Sequence, residues 1–140
     1  MTGVYEYEVE VPPSVIDANG HVNNVEFVRW MQEAAMRHAT EMGCTAATQA
    51  AGATWVVRSH HIEYLHPALA GDRLRVRTWV ANFRRAFSLR RYKFIRDRDS
   101  NVLARGETDW VFVDRQSGRP RTIPSPIQSM FELLQNDPGT

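Results

Sequence analysis

The chain has 140 residues, 17 basic and 16 acidic side chains and a net charge of +1, a balance that excludes bulk nucleic-acid binding driven by net charge. No stretch approaches the ~18 apolar residues of a membrane span, so neither nucleic acid nor membrane is an expected partner. An apolar fraction of 43% and a length typical of one domain predict a single folded domain, residues 1–140, burying roughly two-thirds of its unfolded surface.

The first segment, Val4 to Val11, alternates tyrosine and valine (Tyr5, Tyr7, Val9, Val11) with Glu6, Glu8 and Glu10. That reads as a half-exposed strand, stopped by Pro12-Pro13. Asn23 opens a helix: its side chain can cap, and Glu26 three residues later has capping-box spacing. Val25, Val28, Met31, Ala35, Ala39 and Met42 form an apolar stripe, widened by Phe27, Trp30 and Ala34. Glu26, Arg29, Glu33, Arg37 and Glu41 form the opposite, charged stripe. Gly43 suits the left-handed residue after a helix end. The spacing predicts one long helix from about Asn24 to Met42.

The small-residue run "TAATQAAGA" reads as a loop. Thr54 to Leu65, Arg73 to Phe83, Phe87 to Arg96 and Val102 to Val113 read as strands, with "RRA", "RDRDSN" and "RQSGRP" in turns. Ile127 to Leu134 reads as a terminal helix. Strand, helix, then four strands in a meander predicts an α+β domain, a single curved antiparallel sheet wrapped around one long helix. One such sheet leaves an edge strand open, so a homodimer or homotetramer is expected.

The chemistry concentrates in "DANGHVNN", residues 17–24. The first N–H groups of a helix lack intrahelical partners, and the dipole there favours negative charge. Asp17 lies six residues before Asn23, close enough to fold back to that end. Gly20 permits a tight turn and close approach of a ligand. With Asn23 capping, the N–H of Asn24 is left to point outward, where it can hold an oxyanion. The cluster thus supplies a nucleophile or base (Asp17), an oxyanion donor (Asn24) and two polar positioners (Asn19, His21). An N-terminal loop tied down by Asx turns is the bland alternative for the same residues.

"DANGHVNNVEFVRW" resembles the active-site segment of hotdog-fold thioesterases, both the 4-hydroxybenzoyl-CoA branch and the plant acyl-carrier-protein enzymes. "IEYLHPALAGDRLRV" and "ARGETDWVFVD…SGRPRTIP" resemble later segments of the same family, so the resemblance spans nearly the whole chain. It implies the hotdog fold and acyl-CoA thioester hydrolysis in lipid metabolism, with no cofactor and no metal. It implies that Asp17 attacks the thioester or activates water, and that the N–H of Asn24 polarises the carbonyl. Asn19 and His21 match an asparagine and a histidine of the plant enzymes. Arg84-Arg85 match a basic pair holding CoA phosphates, and Arg119 and Arg121 a further arginine region near the nucleotide. Pro67 and Ala68 stand where plant enzymes carry an extra carboxylate and a cysteine, which excludes a mechanism needing those. Phe27 stands where a tyrosine is common, removing a hydroxyl from that side of the pocket. The alternatives are an acyl-carrier-protein thioesterase and a non-catalytic acyl-CoA-binding dimer.

The remaining candidates carry less. Cys44, the only cysteine, permits no intrachain disulfide; together with the absence of a leader-like apolar run this makes the cytoplasm the expected compartment. It follows a helix end, with no base in evidence, and reads as a small loop residue. His60 and His61 point to opposite faces of a strand, and with His66 no acid completes a metal site. Glu63 reads either as a strand surface residue or as a group facing the site of a neighbouring subunit. All basic residues but Lys93 are arginine, a bias that suits phosphate. Arg90 and Arg91 read, by themselves, as part of a solvated face.

Overall fold

The computed structural model describes residues 3–139. Strand β1 (Tyr5–Glu10) leads through a 3-10 turn (Pro13–Val15) to helix α1 (Asn24–Glu41) and a short helix α2 (Cys44–Ala50). Strands β2 (Ala53–Tyr64), β3 (Arg73–Arg84), β4 (Phe87–Arg96) and β5 (Val102–Asp114) follow, then a single turn of helix, α3 (Ser125–Gln128). All strand pairs are antiparallel in one five-stranded sheet of order β1-β3-β4-β5-β2. Bulges at Val57/Ser59, Val80/Asn82 and Phe94/Ile95 bend the strands, and the concave face holds α1. This is the hotdog arrangement.

Three expectations need correction. The last four strands are not one meander: β3, β4 and β5 are, but β2 lies beyond β5 and β1 pairs with β3. The link of residues 65–72 carries the chain across the sheet end. Leu65 and His66 donate their N–H groups to the Leu103 carbonyl, and Gly71 donates to that of Val11. The run "TAATQAAGA" is not a loop, because its alanines and glutamine are good helix formers. Gly43, at φ +85°, turns the chain and α2 starts at Cys44, burying Cys44 and Thr48. The terminal helix is one turn, ending at Gln128; the chain then joins β3, with the Leu134 N–H on the Val80 carbonyl.

The apolar stripe of α1 is rotated from its expected line. Phe27, Trp30, Met31, Ala34, Ala35 and His38 are the buried residues, whereas Val25 is 62% exposed. Phe27, Trp30 and Met31 pack on Leu74, Val76, Tyr92, Phe94, Leu103 and Ala104 of the sheet. Gly106 faces α1 so closely that a Cβ there would lie 2.9 Å from the Met31 sulfur. A second cluster closes the other end of the sheet, with Val80, Phe112, Ile123, Ile127 and Phe131 at its centre.

Candidate functional site

The segment before α1 forms a small hairpin. Ile16 pairs with Val22, the Asp17 N–H donates to the His21 carbonyl at 2.9 Å, and the Gly20 N–H donates to the Asp17 carbonyl at 3.0 Å. Gly20 sits at φ +80° in open space, so glycine is there for its backbone conformation rather than for clearance. The Asp17 carboxylate accepts the Asn19 N–H at 2.9 Å, an Asx turn that holds the side chain half-buried at the head of the loop. Asn19 and His21 are exposed beside it.

The Asn23 N–H closes the base of the hairpin on the Val15 carbonyl, and the Val22 N–H ties it to the 65–72 link at the Ala68 carbonyl, both at 2.9 Å. The Asn23 side chain caps α1, accepting the Val25 N–H at 3.0 Å. Glu26 does not complete a reciprocal capping box. The Asn23 N–H is already taken by Val15, and Glu26 faces Arg29 instead at 3.6 Å. The Asn24 N–H has no acceptor among the described residues. Its carbonyl is fixed by the Tyr64 hydroxyl at 3.3 Å, so the end of β2 supports the start of α1. Asp17, Asn19, Gly20, His21 and Asn24 are therefore brought to one place.

Phe27 lies within the core, 3% exposed, edge-on to Tyr64, Trp30 and Phe94. It bears on the site only by backing Tyr64. Glu63 points to the convex face of the sheet, paired in register with Arg105, and lines a cavity there with His61, Trp79 and Arg91.

The four arginines lie at the other end of the sheet from Asp17. The hairpin of residues 16–22 sits by the start of β3, while Arg84 and Arg85 form the turn at its end, up to about 36 Å of strand away at ~3.3 Å per residue. Arg84 ion-pairs with Asp109 and donates to the Asn82 side chain. Arg85 turns the chain at φ +60° with its side chain exposed. Arg121 donates to the Ala51 carbonyl at 2.9 Å and lies 3.6 Å from Asp114; Arg119 is exposed nearby. Cys44 is buried at the start of α2, its sulfur 3.7 Å from the Thr48 hydroxyl, and burial pushes its thiol up, away from nucleophilic form. His60 is held to the Thr108 hydroxyl at 2.8 Å.

The arginine end also contains what the sequence reading missed. A cavity of ≈ 390 Å³ opens between α1, α2 and the sheet, with Met36, Ala39, Trp55, Phe83, Trp110 and Phe131 among its walls. Arg90 lines it too, and the reading of Arg90 as solvated is wrong. Its side chain is 5% exposed, because Ser88, Arg90, Tyr92 and Phe94 share the face of β4 turned to α1. Its Nη1 donates to the Thr78 hydroxyl at 3.1 Å and to His38 Nδ1 at 2.9 Å. No local signal in the sequence places it, because the opposite parity of β4 (Leu89, Arg91, Lys93, Ile95) carries the same mix of cations and apolar groups.

The family model of the thioesterase-like superfamily matches residues 11–131, and the chain belongs to that family. An L-carnitine dehydrogenase/betainyl-CoA thioesterase of Agrobacterium fabrum is 26% identical over 128 residues. The match covers 91% of this chain and 26% of that protein, so the chain spans about a quarter of the length of the curated relative it matches. A 1,4-dihydroxy-2-naphthoyl-CoA thioesterase from Synechocystis superposes with a TM-score of 0.81 at 22% identity, covering 91% of this chain and 95% of that one. A 4-hydroxybenzoyl CoA thioesterase mutant complexed with 4-hydroxybenzoyl CoA superposes with a TM-score of 0.83 at 16% identity, over 93% and 99% of the two chains. At these identities the superpositions establish the shared fold.

Proposed function

We propose that this protein hydrolyses acyl-CoA thioesters to the free acid and CoA. The observation that carries the reading is the unpartnered N–H of Asn24 at the start of α1, with the Asp17 carboxylate fixed in the hairpin directly before it. The thioester carbonyl oxygen would accept that N–H, and the charge that develops there on attack is what a fixed donor stabilises. Asp17 either attacks the carbonyl carbon itself or takes a proton from the water that does. When water attacks, the carbon–sulfur bond breaks, the thiolate leaves and is protonated, and the acyl group departs as a carboxylic acid. When Asp17 attacks, the thiolate leaves the acyl group on Asp17 as a mixed anhydride, which water then cleaves to the acid and free Asp17. Asn19 and His21 position the thioester or the water.

The family and the names of its relatives support thioester chemistry, and the separation within one copy supports a dimer. Asp17 and the phosphate-matching arginines stand at opposite ends of the sheet, and β2 is an open edge of 12 residues. Antiparallel pairing of two β2 edges sets the end of one strand beside the start of the other. The Asp17 hairpin of one copy then faces Arg84, Arg85, Arg119 and Arg121 of the second. CoA release from a panel of acyl-CoA thioesters tests the reading: hydrolysis lost in Asp17→Asn supports it, and no hydrolysis of any member refutes it. Binding without hydrolysis would identify the non-catalytic dimer. Turnover confined to acyl groups on carrier protein would identify the other alternative.

A further inference from the structure

Arg90 poses a problem that the hydrolysis reaction leaves unanswered. It is a buried cation, and burying a charge without an opposite charge is costly. No carboxylate lines its cavity among the described residues; Arg115, at the rim, adds a second positive charge. Its contacts are neutral: the Thr78 hydroxyl, His38 Nδ1 and the ring of Phe131, 5.8 Å from the guanidinium carbon. Burial, and then the Arg90 charge, push the His38 pKa down to about 3, so His38 accepts from Arg90 as a neutral ring. All of these bonds use Nη1. The Nε and Nη2 hydrogens have no acceptor among the described residues.

The cavity around this fork has mostly apolar walls, with Gln32, Thr45, Thr48, Gln49, Thr54 and Ser88 as neutral polar groups among them. Its ≈ 390 Å³ falls within the roughly 300–1,000 Å³ of small-molecule sites. It borders the first residues of β2 (Ala53, Thr54, Trp55), whereas the last, Tyr64, is bonded to the Asn24 carbonyl. The antiparallel dimer proposed above sets these two ends side by side, so an acyl group held at Asn24 of one copy runs into the cavity of the other. A chain entering there meets mostly apolar walls and two unused donors of a buried guanidinium, the geometry that a carboxylate accepts.

We propose that Arg90 reads the far end of the acyl group, and that the preferred substrates are thioesters whose apolar acyl chain ends in a carboxylate. This rests on the thioesterase reading, which it deepens by naming the acyl class. A methyl-ended chain leaves the buried charge unmatched, and a quaternary ammonium end meets a like charge.

The test compares matched CoA thioesters of equal chain length, one methyl-ended and one ω-carboxylated, over a series of lengths. The wild-type protein should favour the carboxylated member in kcat/KM by on the order of ten- to hundredfold, the worth of charge-assisted hydrogen bonds. In Arg90→Gln the ratio should fall to about one, with Arg90→Lys, which keeps the charge and loses the fork, between them. A wild-type preference for methyl-ended chains at every length overturns the proposal, as does an unchanged ratio in folded Arg90→Gln. If Arg90→Gln does not fold, the wild-type ratio and that of Arg90→Lys decide. A second readout is independent of hydrolysis: a free dicarboxylic acid should raise the melting temperature of the wild type more than its monocarboxylic counterpart does. If that difference appears and no thioester is cleaved, the hydrolase reading fails and the Arg90 site stands. If thioesters are cleaved and neither preference appears, the Arg90 site fails and the hydrolase reading stands.

Discussion

His38 should make the fold acid-sensitive well above the pH at which its carboxylates protonate. The ring is 4% exposed, stacked on Tyr5 at 5.5 Å and edge-on to Phe131 at 5.2 Å. Its Nδ1 accepts from Arg90, which leaves the ring proton on Nε2. Burial is the main cause of its lowered pKa, and the Arg90 charge the second. The folded protein therefore stays unprotonated at His38 down to about pH 3, while the unfolded chain takes up a proton below its ordinary value of about 6.5. The stabilisation is fully present above the unfolded value and is lost as pH falls towards the folded one. At pH 5 the unfolded state gains RT ln(1 + 10^1.5), about 2 kcal/mol, a sizeable part of the ~5–15 kcal/mol that holds a domain together. His60, half-buried with its pKa also lowered, contributes in the same direction, so the wild-type curve alone does not isolate His38. His38→Asn does: the amide oxygen takes the place of Nδ1 before Arg90 and cannot titrate in this range. Urea unfolding of both proteins at pH 7.5 and pH 5 should find the wild type losing about 2 kcal/mol more than the variant. Parallel losses would refute the assignment of a buried neutral His38.

Asp17→Asn should lower kcat by about a hundred- to ten-thousandfold, the usual worth of a positioned proton acceptor. Its melting temperature should stay close to wild type, because an amide oxygen can still accept the Asn19 N–H; near wild-type turnover would remove Asp17 from the mechanism. Asn23→Ala removes the cap of α1 and should cost about 1 kcal/mol in chemical denaturation. It should also lower kcat/KM, since the cap fixes the direction of the Asn24 N–H. Arg85→Ala should raise KM for acyl-CoA more than it lowers kcat, with an effect that shrinks in high salt. Arg84→Ala should do less, because Arg84 is already held by Asp109; equal KM values for acyl-CoA in wild type and the double variant would move the phosphate site towards Arg119 and Arg121. Light scattering at micromolar concentration should give at least a dimer, and a monomer there would contradict pairing through β2.

Local patterns placed most of the elements. β1 follows from alternation, α1 from its cap and 3.6-residue periodicity, and four strands from their turns, each within a residue or two. The helix-start hairpin was also legible, because a cap residue, a glycine and an acid at short range can meet in only a few ways. Pairing partners were not: nothing within β2 says that it lies beside β5 rather than β3, since that depends on where residues 65–72 are anchored. The alanine-rich α2 follows from propensity, although its small residues also suit a loop.

What the sequence determined by itself was the set of elements, the curved sheet on a long helix, and the assembly of Asp17, Asn19, His21 and Asn24 before that helix. Tertiary structure alone decided which face of β4 is inside. Ser88, Arg90, Tyr92 and Phe94 alternate with Leu89, Arg91, Lys93 and Ile95, so each parity carries both cations and large apolar groups, and alternation cannot choose between them. The choice comes from packing: Tyr92 and Phe94 fill the space under α1, and their register carries Arg90 inward with them. A side chain that seemed one more surface arginine thereby becomes a buried cation with two free donors facing a cavity, because strand register moves every second residue together and a charge must follow its neighbours.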